Sequence, residues 1–154
     1  MHIAQEDPAA PDIVGLLEEH LADMRAISPP ESCHALDVER LRADHVTFLA
    51  ARDEAGALLG VGAIAELSPD HGELKSMRTS RAARGQGIAA AIVAQLLAIA
   101  RERGYARVSL ETGSQEYFAA AHRLYERTGF EPCAPFGTYV EDPYARFYTL
   151  ELRT

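Results

Sequence analysis

Apolar positions recur at a helical spacing early in the chain, at a strand-like spacing in the middle, and then alternate between the two. Residues 1–5 are short enough for an opening strand. After Asp7-Pro8, the side chains Ile13, Leu16, Leu17, His20, Leu21 and Met24 lie three and four apart, which predicts a helix with one buried face. Ser28-Pro29-Pro30-Glu31-Ser32 has to be a turn or loop, because two prolines exclude both a helix and a central strand. A short second helix is expected after Asp37, through Val38 and Leu41.

Val46-Thr47-Phe48-Leu49-Ala50-Ala51 predicts a strand, and Asp53-Glu54-Ala55-Gly56 turns it into a second one at Leu58–Leu67. Pro69-Asp70-His71-Gly72 predicts another turn, leading into Glu73–Thr79. Three strands joined this tightly make an antiparallel meander. The period then lengthens. Ile88, Ile92, Leu96 and Ile99, flanked by Ala89, Val93, Leu97 and Ala100, form a wide apolar helical face that Gly104 stops. Arg107–Thr112 is expected to be a strand and Gln115–Thr128 a helix closed by Gly129. Phe130 onward and Arg146–Leu152 supply two last strands. The central strand–helix–strand unit predicts a right-handed crossover with parallel strands. The expected fold is therefore α+β: a mixed antiparallel and parallel sheet of about six or seven strands flanked by about four helices, in one domain over residues 1–154.

Composition narrows the class without changing the architecture. With 47% hydrophobic and 25% charged residues, the chain reads as a globular protein. Its longest apolar run, Ile88 to Ala100, is too short to span a bilayer, and the first residues show no secretory pattern, so a cytoplasmic location is expected. Cys33 and Cys133 have neither metal-ligand spacing nor the density of a disulfide framework; they are expected to be reduced, and no metal is expected.

Charge is more informative, because the net −8 is uneven. Residues 1–73 hold 15 acids and 4 bases, and residues 74–154 hold 8 acids and 11 bases. Lys75, Arg78, Arg81 and Arg84 fall within ten residues in a stretch free of acids. An acidic protein is a poor binder of nucleic acid, so a local basic cluster points to one small polyanionic ligand.

The segment Arg84-Gly85-Gln86-Gly87-Ile88-Ala89 lies between a predicted strand and a strong predicted helix. Its glycines let the backbone approach a ligand, and the first amides of a helix bind phosphate oxygens unaided. It is neither a Walker loop nor a dinucleotide-binding turn. Two motifs lie in order: Arg84-x-x-Gly87-x-Ala89, then Ala121-x-x-Leu124-Tyr125-x-x-x-Gly129-Phe130. Together they make residues 73–130 resemble the GNAT superfamily of N-acetyltransferases. The Ser28–His34 loop and Pro135-Phe136-Gly137 are similar to those of a bacterial subgroup of unassigned substrate.

The resemblance implies an acetyl-CoA-dependent transfer of an acetyl group to the primary amine of a small molecule or peptide, by direct attack in a ternary complex. It implies that the ends of Glu73–Thr79 and Arg107–Thr112 splay apart, with pantetheine pairing to the backbone of Met77 and Thr79. The amides of Arg84, Gly85, Gln86, Gly87, Ile88 and Ala89 would take the pyrophosphate, with charge from Arg81 and Arg84. The Met77 amide would stabilise an oxyanion and Tyr125 would protonate the departing thiolate. Strand alternation puts Glu73 on the face of Met77, which makes Glu73 the first candidate for the base and Glu111 the second. His20, Met24, Glu31 and His34 are expected on the acceptor side, where Glu18, Glu19, Asp23 and Glu31 would suit a cationic amine. One departure stands out: where many relatives carry a cofactor-contacting Asn, this chain has Phe118, so that contact is open or moved to Ser114 or Gln115. A noncatalytic acyl-CoA sensor on the same fold is the alternative function, and a homodimer is left open.

Overall fold

The computed structural model describes residues 1–30 and 38–152; Glu31, Cys33 and His34 lie outside them. Among the described residues, β1 (His2–Gln5), β2 (Val46–Arg52), β3 (Leu58–Ser68), β4 (His71–Thr79), β5 (Arg107–Gly113), β6 (Glu131–Pro132) and β7 (Ala145–Glu151) form one sheet in the order β1-β2-β3-β4-β5-β7-β6. All neighbours are antiparallel except β4 and β5, which run parallel across the expected crossover.

Helices cover both faces. On one side α1 (Pro11–Ile27) and α2 (Val38–Leu41) pack Ile13, Leu16, Leu17 and Leu41 onto Phe48, Ala50, Val61 and Ala63. Pro11 starts α1, where a missing amide hydrogen costs nothing. On the other side α3 (Ile88–Glu102) and α4 (Ala119–Thr128) cover Ile64, Leu74, Val108 and Leu110. Ile92 and Leu96 are fully buried, and each such side chain contributes about 1.5–3 kcal/mol. Gly60 and Gly62 allow α3 to sit this close: a Cβ on Gly62 would lie 2.7 Å from Ile92 and 2.5 Å from the Met77 sulfur.

Three expected boundaries move, the first two because of a packing partner elsewhere in the fold. His71 and Gly72 belong to β4 rather than to the preceding turn. The Tyr105 ring packs where a Gly72 side chain would stand, and His71 is buried with its Nε2 2.7 Å from Ser109 Oγ. The helix predicted from Gln115 begins instead as a 3-10 turn, Glu116–Phe118, because the Phe118 ring folds back over Gly113. The strand predicted from Phe130 pairs only at Glu131 and Pro132 before the chain leaves the sheet.

Two irregularities in β4 shape the middle of the molecule. Its register with β3 slips: Val61 faces Arg78 while Ala63 faces Lys75, so β4 carries an extra residue. The bulge contains Ser76, whose φ of 59° is the one positive value at a described residue other than glycine. The pairing of β4 with β5 also stops at Leu74 and Leu110, well short of the ends of both strands.

Candidate functional site

Where β4 and β5 part, the sheet opens into a cleft of about 990 Å³. Backbone groups of β4 beyond Leu74 have no β5 partner there, leaving an edge that an extended ligand can pair with. The cleft is lined by Met77 and Thr79 on this edge, by Arg84, Gly85, Gly87, Ile88 and Ala89 at one end, and by His20 and Met24 toward the other.

The loop at the first end has the conformation that its glycines permit. Gly85 and Gly87 have φ of 78° and 79°, and Gly87 caps α3 from the left-handed region with no side-chain cap bond. Nothing lies within 4 Å of a Cβ built on either residue. The glycines are therefore needed for backbone angle, and the first amides of α3 remain open toward the cleft. Such a terminus, followed by a helix of 15 residues, fits a pyrophosphate. The Gln86 side chain turns back to donate to the Ala82 carbonyl at 3.3 Å and does not line the cleft, which leaves only its backbone amide for the role expected of it.

Tyr125 reaches the cleft from α4 while remaining 5% exposed, held edge-on against Phe130 and near Tyr148. Burial alone pushes its phenol well above the ordinary value, so it stays protonated. Its hydroxyl has no hydrogen bond to a described residue.

Glu73 and Met77 share the cleft but not a face of β4. The extra residue at Ser76 breaks the alternation, which turns Met77 toward α3 and Gly62 and leaves Glu73 and Lys75 on the α1 side with Ala65 and Ala63. Glu73 is 5% exposed and accepts a 2.6 Å hydrogen bond from the Tyr139 hydroxyl. Burial and the neighbouring Glu73 charge push the Tyr139 phenol up, so it serves as a donor. Tyr139 arrives by a turn at Gly137 (φ 59°), in which the Tyr139 amide donates to the Phe136 carbonyl. Glu111, on β5, lines the same cleft.

The carboxylates of α1 have another role than the one expected of them. Arg78, almost fully buried, bonds Glu19 at 2.6 Å and Asp23 at 2.7 Å, and also donates to the Tyr117 hydroxyl. Tyr117 in turn donates to Asp23 at 2.8 Å. Arg81, largely exposed, pairs with Asp23 at 2.9 Å. Hydrogen bonds from Arg78 and then Tyr117 hold the Asp23 carboxyl down to about 2. His20 lies 3.5 Å from Arg78; burial first, then that positive charge, holds its imidazole down to about 4, so it is neutral near pH 7. Glu18 is exposed.

Phe118 stands edge-on to Tyr117 at 4.9 Å and forms apolar wall in the wedge. Neither proposed substitute for the missing Asn lines the cleft: Ser114 donates to the Pro143 carbonyl, and Gln115 donates to Ile27 and Ser28. The residues that sequence alone did not single out are Tyr117, Tyr139 and Ser76. No spacing marks them, since each acquires its place from contacts across the fold. The basic cluster was visible, but not that Arg78 and Arg81 are ion-paired to α1 while Lys75 and Arg84 line the cleft without such a pair. Among the described residues no three His, Cys, Asp or Glu side chains could together hold a metal, and no helix is long and apolar enough to cross a membrane.

Comparison with known proteins agrees with this geometry. The model of the acetyltransferase (GNAT) family matches residues 13–130. The uncharacterized N-acetyltransferase YsnE of Bacillus subtilis is 46% identical over 152 residues, covering 99% of this chain and 100% of its own. A crystal structure described as an acyl-CoA N-acyltransferase from Klebsiella pneumoniae is 28% identical and superposes with a TM-score of 0.80, covering 98% of this chain and 97% of its own. An acetyltransferase structure from Salmonella typhimurium with its cofactor acetyl-CoA has a TM-score of 0.73 at 19% identity, covering 100% of this chain and 95% of its own.

Proposed function

Because this chain belongs to the GNAT family of acetyltransferases, we propose that it transfers an acetyl group from acetyl-CoA to the primary amine of a small molecule or peptide, by direct attack in a ternary complex. The observation that carries the proposal is one cleft in which the open β4 edge, the Gly85–Gly87 loop and the Tyr125 hydroxyl converge. The Salmonella structure, which bears acetyl-CoA on the same fold, supports the choice of cosubstrate.

Acetyl-CoA, when bound, supplies an activated thioester carbonyl. The amides of the loop from Arg84 to Ala89 bind its pyrophosphate, and the backbone of Met77 and Thr79 pairs with the pantetheine arm. Glu73 takes a proton from the incoming ammonium, directly or through water, so that a neutral amine attacks. The Met77 amide donates to the carbonyl oxygen as negative charge develops on it. As the new C–N bond forms and the C–S bond breaks, Tyr125 gives its proton to the sulfur, and the nitrogen sheds its second proton through water, leaving the neutral amide and restoring the Tyr125 phenol.

The direct test has two steps. Coenzyme A is expected to raise the melting temperature where ATP does not, and a screen of amines with acetyl-CoA is expected to release thiol. A shift with ATP but none with coenzyme A would sink the cofactor assignment. Coenzyme A binding without turnover of any amine would favour the acyl-CoA sensor.

A further inference from the structure

We propose that the acceptor is an amino acid, an amine that also bears a carboxylate, and that Lys75 holds that carboxylate; this rests on the N-acetyltransferase reading of the cleft. Lys75 lines the cleft from the α1 side of β4, two residues from Glu73 and on the same face, because Glu73 faces Ala65 and Lys75 faces Ala63 before the bulge begins. Two residues along a strand separate side-chain origins by about 6–7 Å. That spacing suits a zwitterion, with its ammonium at Glu73 and its carboxylate at Lys75.

The surrounding charges leave this lysine without a protein counterion. No described carboxylate lies within ion-pair distance of it. Of the acids around it, Glu19 and Asp23 are held by Arg78 and Arg81, while Glu73 and Glu111 line the same cleft without forming an ion pair with it, Glu73 accepting from the Tyr139 hydroxyl. A half-buried ammonium in the cleft is costly to desolvate unless an anion joins it. The cofactor's phosphates are too far away to be that anion. Thr79 is four residues further along β4, about 13 Å at strand rise, and the glycine loop lies beyond it. A second polar group points the same way: the Ser76 hydroxyl, also lining the cleft, is buried with no hydrogen-bond partner. Met24, Leu41 and Leu67 supply apolar wall for the acceptor's own side chain.

The test compares each amino acid with its carboxamide and its decarboxylated amine. Thiol release is measured with acetyl-CoA, and in parallel the added melting shift of the coenzyme A complex. Amino acids are expected to exceed their carboxamides at least tenfold in kcat/KM. In Lys75→Met that ratio should collapse toward one while Lys75→Arg keeps part of it; the coenzyme A shift of each variant reports that it is folded. Carboxamides or plain amines used as well as amino acids, or a ratio unchanged in Lys75→Met, would overturn the proposal while leaving acetyl transfer intact. Should no compound release thiol, a Lys75-dependent shift given by amino acids but not by carboxamides would uphold the ligand class and remove the transfer reading. No amino-acid preference in either assay overturns it.

Discussion

Tyr125 and Glu73 both line the cleft, and each has a distinct expected signature. Tyr125→Phe keeps the ring packed on Phe130 but deletes the proton, so coenzyme A affinity should hold while turnover falls about 10²–10⁴-fold. An unchanged rate would return Tyr125 to a packing role. Glu73→Gln keeps the size of the side chain but cannot accept a proton. The rate near neutral pH should drop about 10²-fold and partly recover at high pH, where free amine is abundant. A wild-type pH–rate profile in this variant would rule Glu73 out as base, and a larger loss in Glu111→Gln would transfer the role. Tyr125 was readable from its motif. The setting of Glu73 was not, since its partner Tyr139 lies 66 residues away and reaches it only through the Gly137 turn.

At the scale of elements, two departures from regular structure shape the cleft, a helix start at positive φ and a bulged strand. Gly87→Asp puts a carboxylate and an unfavourable backbone angle where the pyrophosphate is expected. It should abolish the coenzyme A melting shift, which for the wild type reaches about 2.7 kcal/mol of stabilisation at a hundredfold excess over Kd. A shift of wild-type size in that variant would place the cofactor elsewhere. Gly62→Ala should lower stability by about 1–3 kcal/mol in denaturant unfolding, because its Cβ would stand 2.7 Å from Ile92 and 2.5 Å from the Met77 sulfur. A neutral result would mean that α3 and Met77 move aside freely. The glycine loop and the helix after it were legible because their signal is local. The bulge was not: no residue type demands it, and it moved Met77 to the face opposite Glu73.

Across the whole molecule, the Arg78 network ties α1 to β4 and gives acid sensitivity a direction. The imidazole of His20 is held down to about 4 by burial and by Arg78, while an unfolded histidine titrates near 6.5. The unfolded chain therefore takes up the proton first, and stability should fall as pH drops from 6.5 toward 4. Asp23, held down to about 2 against an ordinary 3.8, adds a second loss below 3.8, as its ion pairs with Arg78 and Arg81 are protonated away. In thermal melts across this range His20→Gln should lose less stability than the wild type between pH 6.5 and 4; parallel curves would exclude His20 as a source of the sensitivity. Period and motif by themselves determined the order and type of the main strands and helices, the parallel crossover and the ends of the glycine loop, because each is encoded within a few turns of chain. Tertiary structure alone decided which charges survive into the cleft. Glu19, Asp23, Arg78 and Arg81 look alike to Glu73, Lys75 and Arg84 in sequence. Only packing α1 against β4 brings the first group within bonding distance of one another, and so leaves the second to meet a ligand.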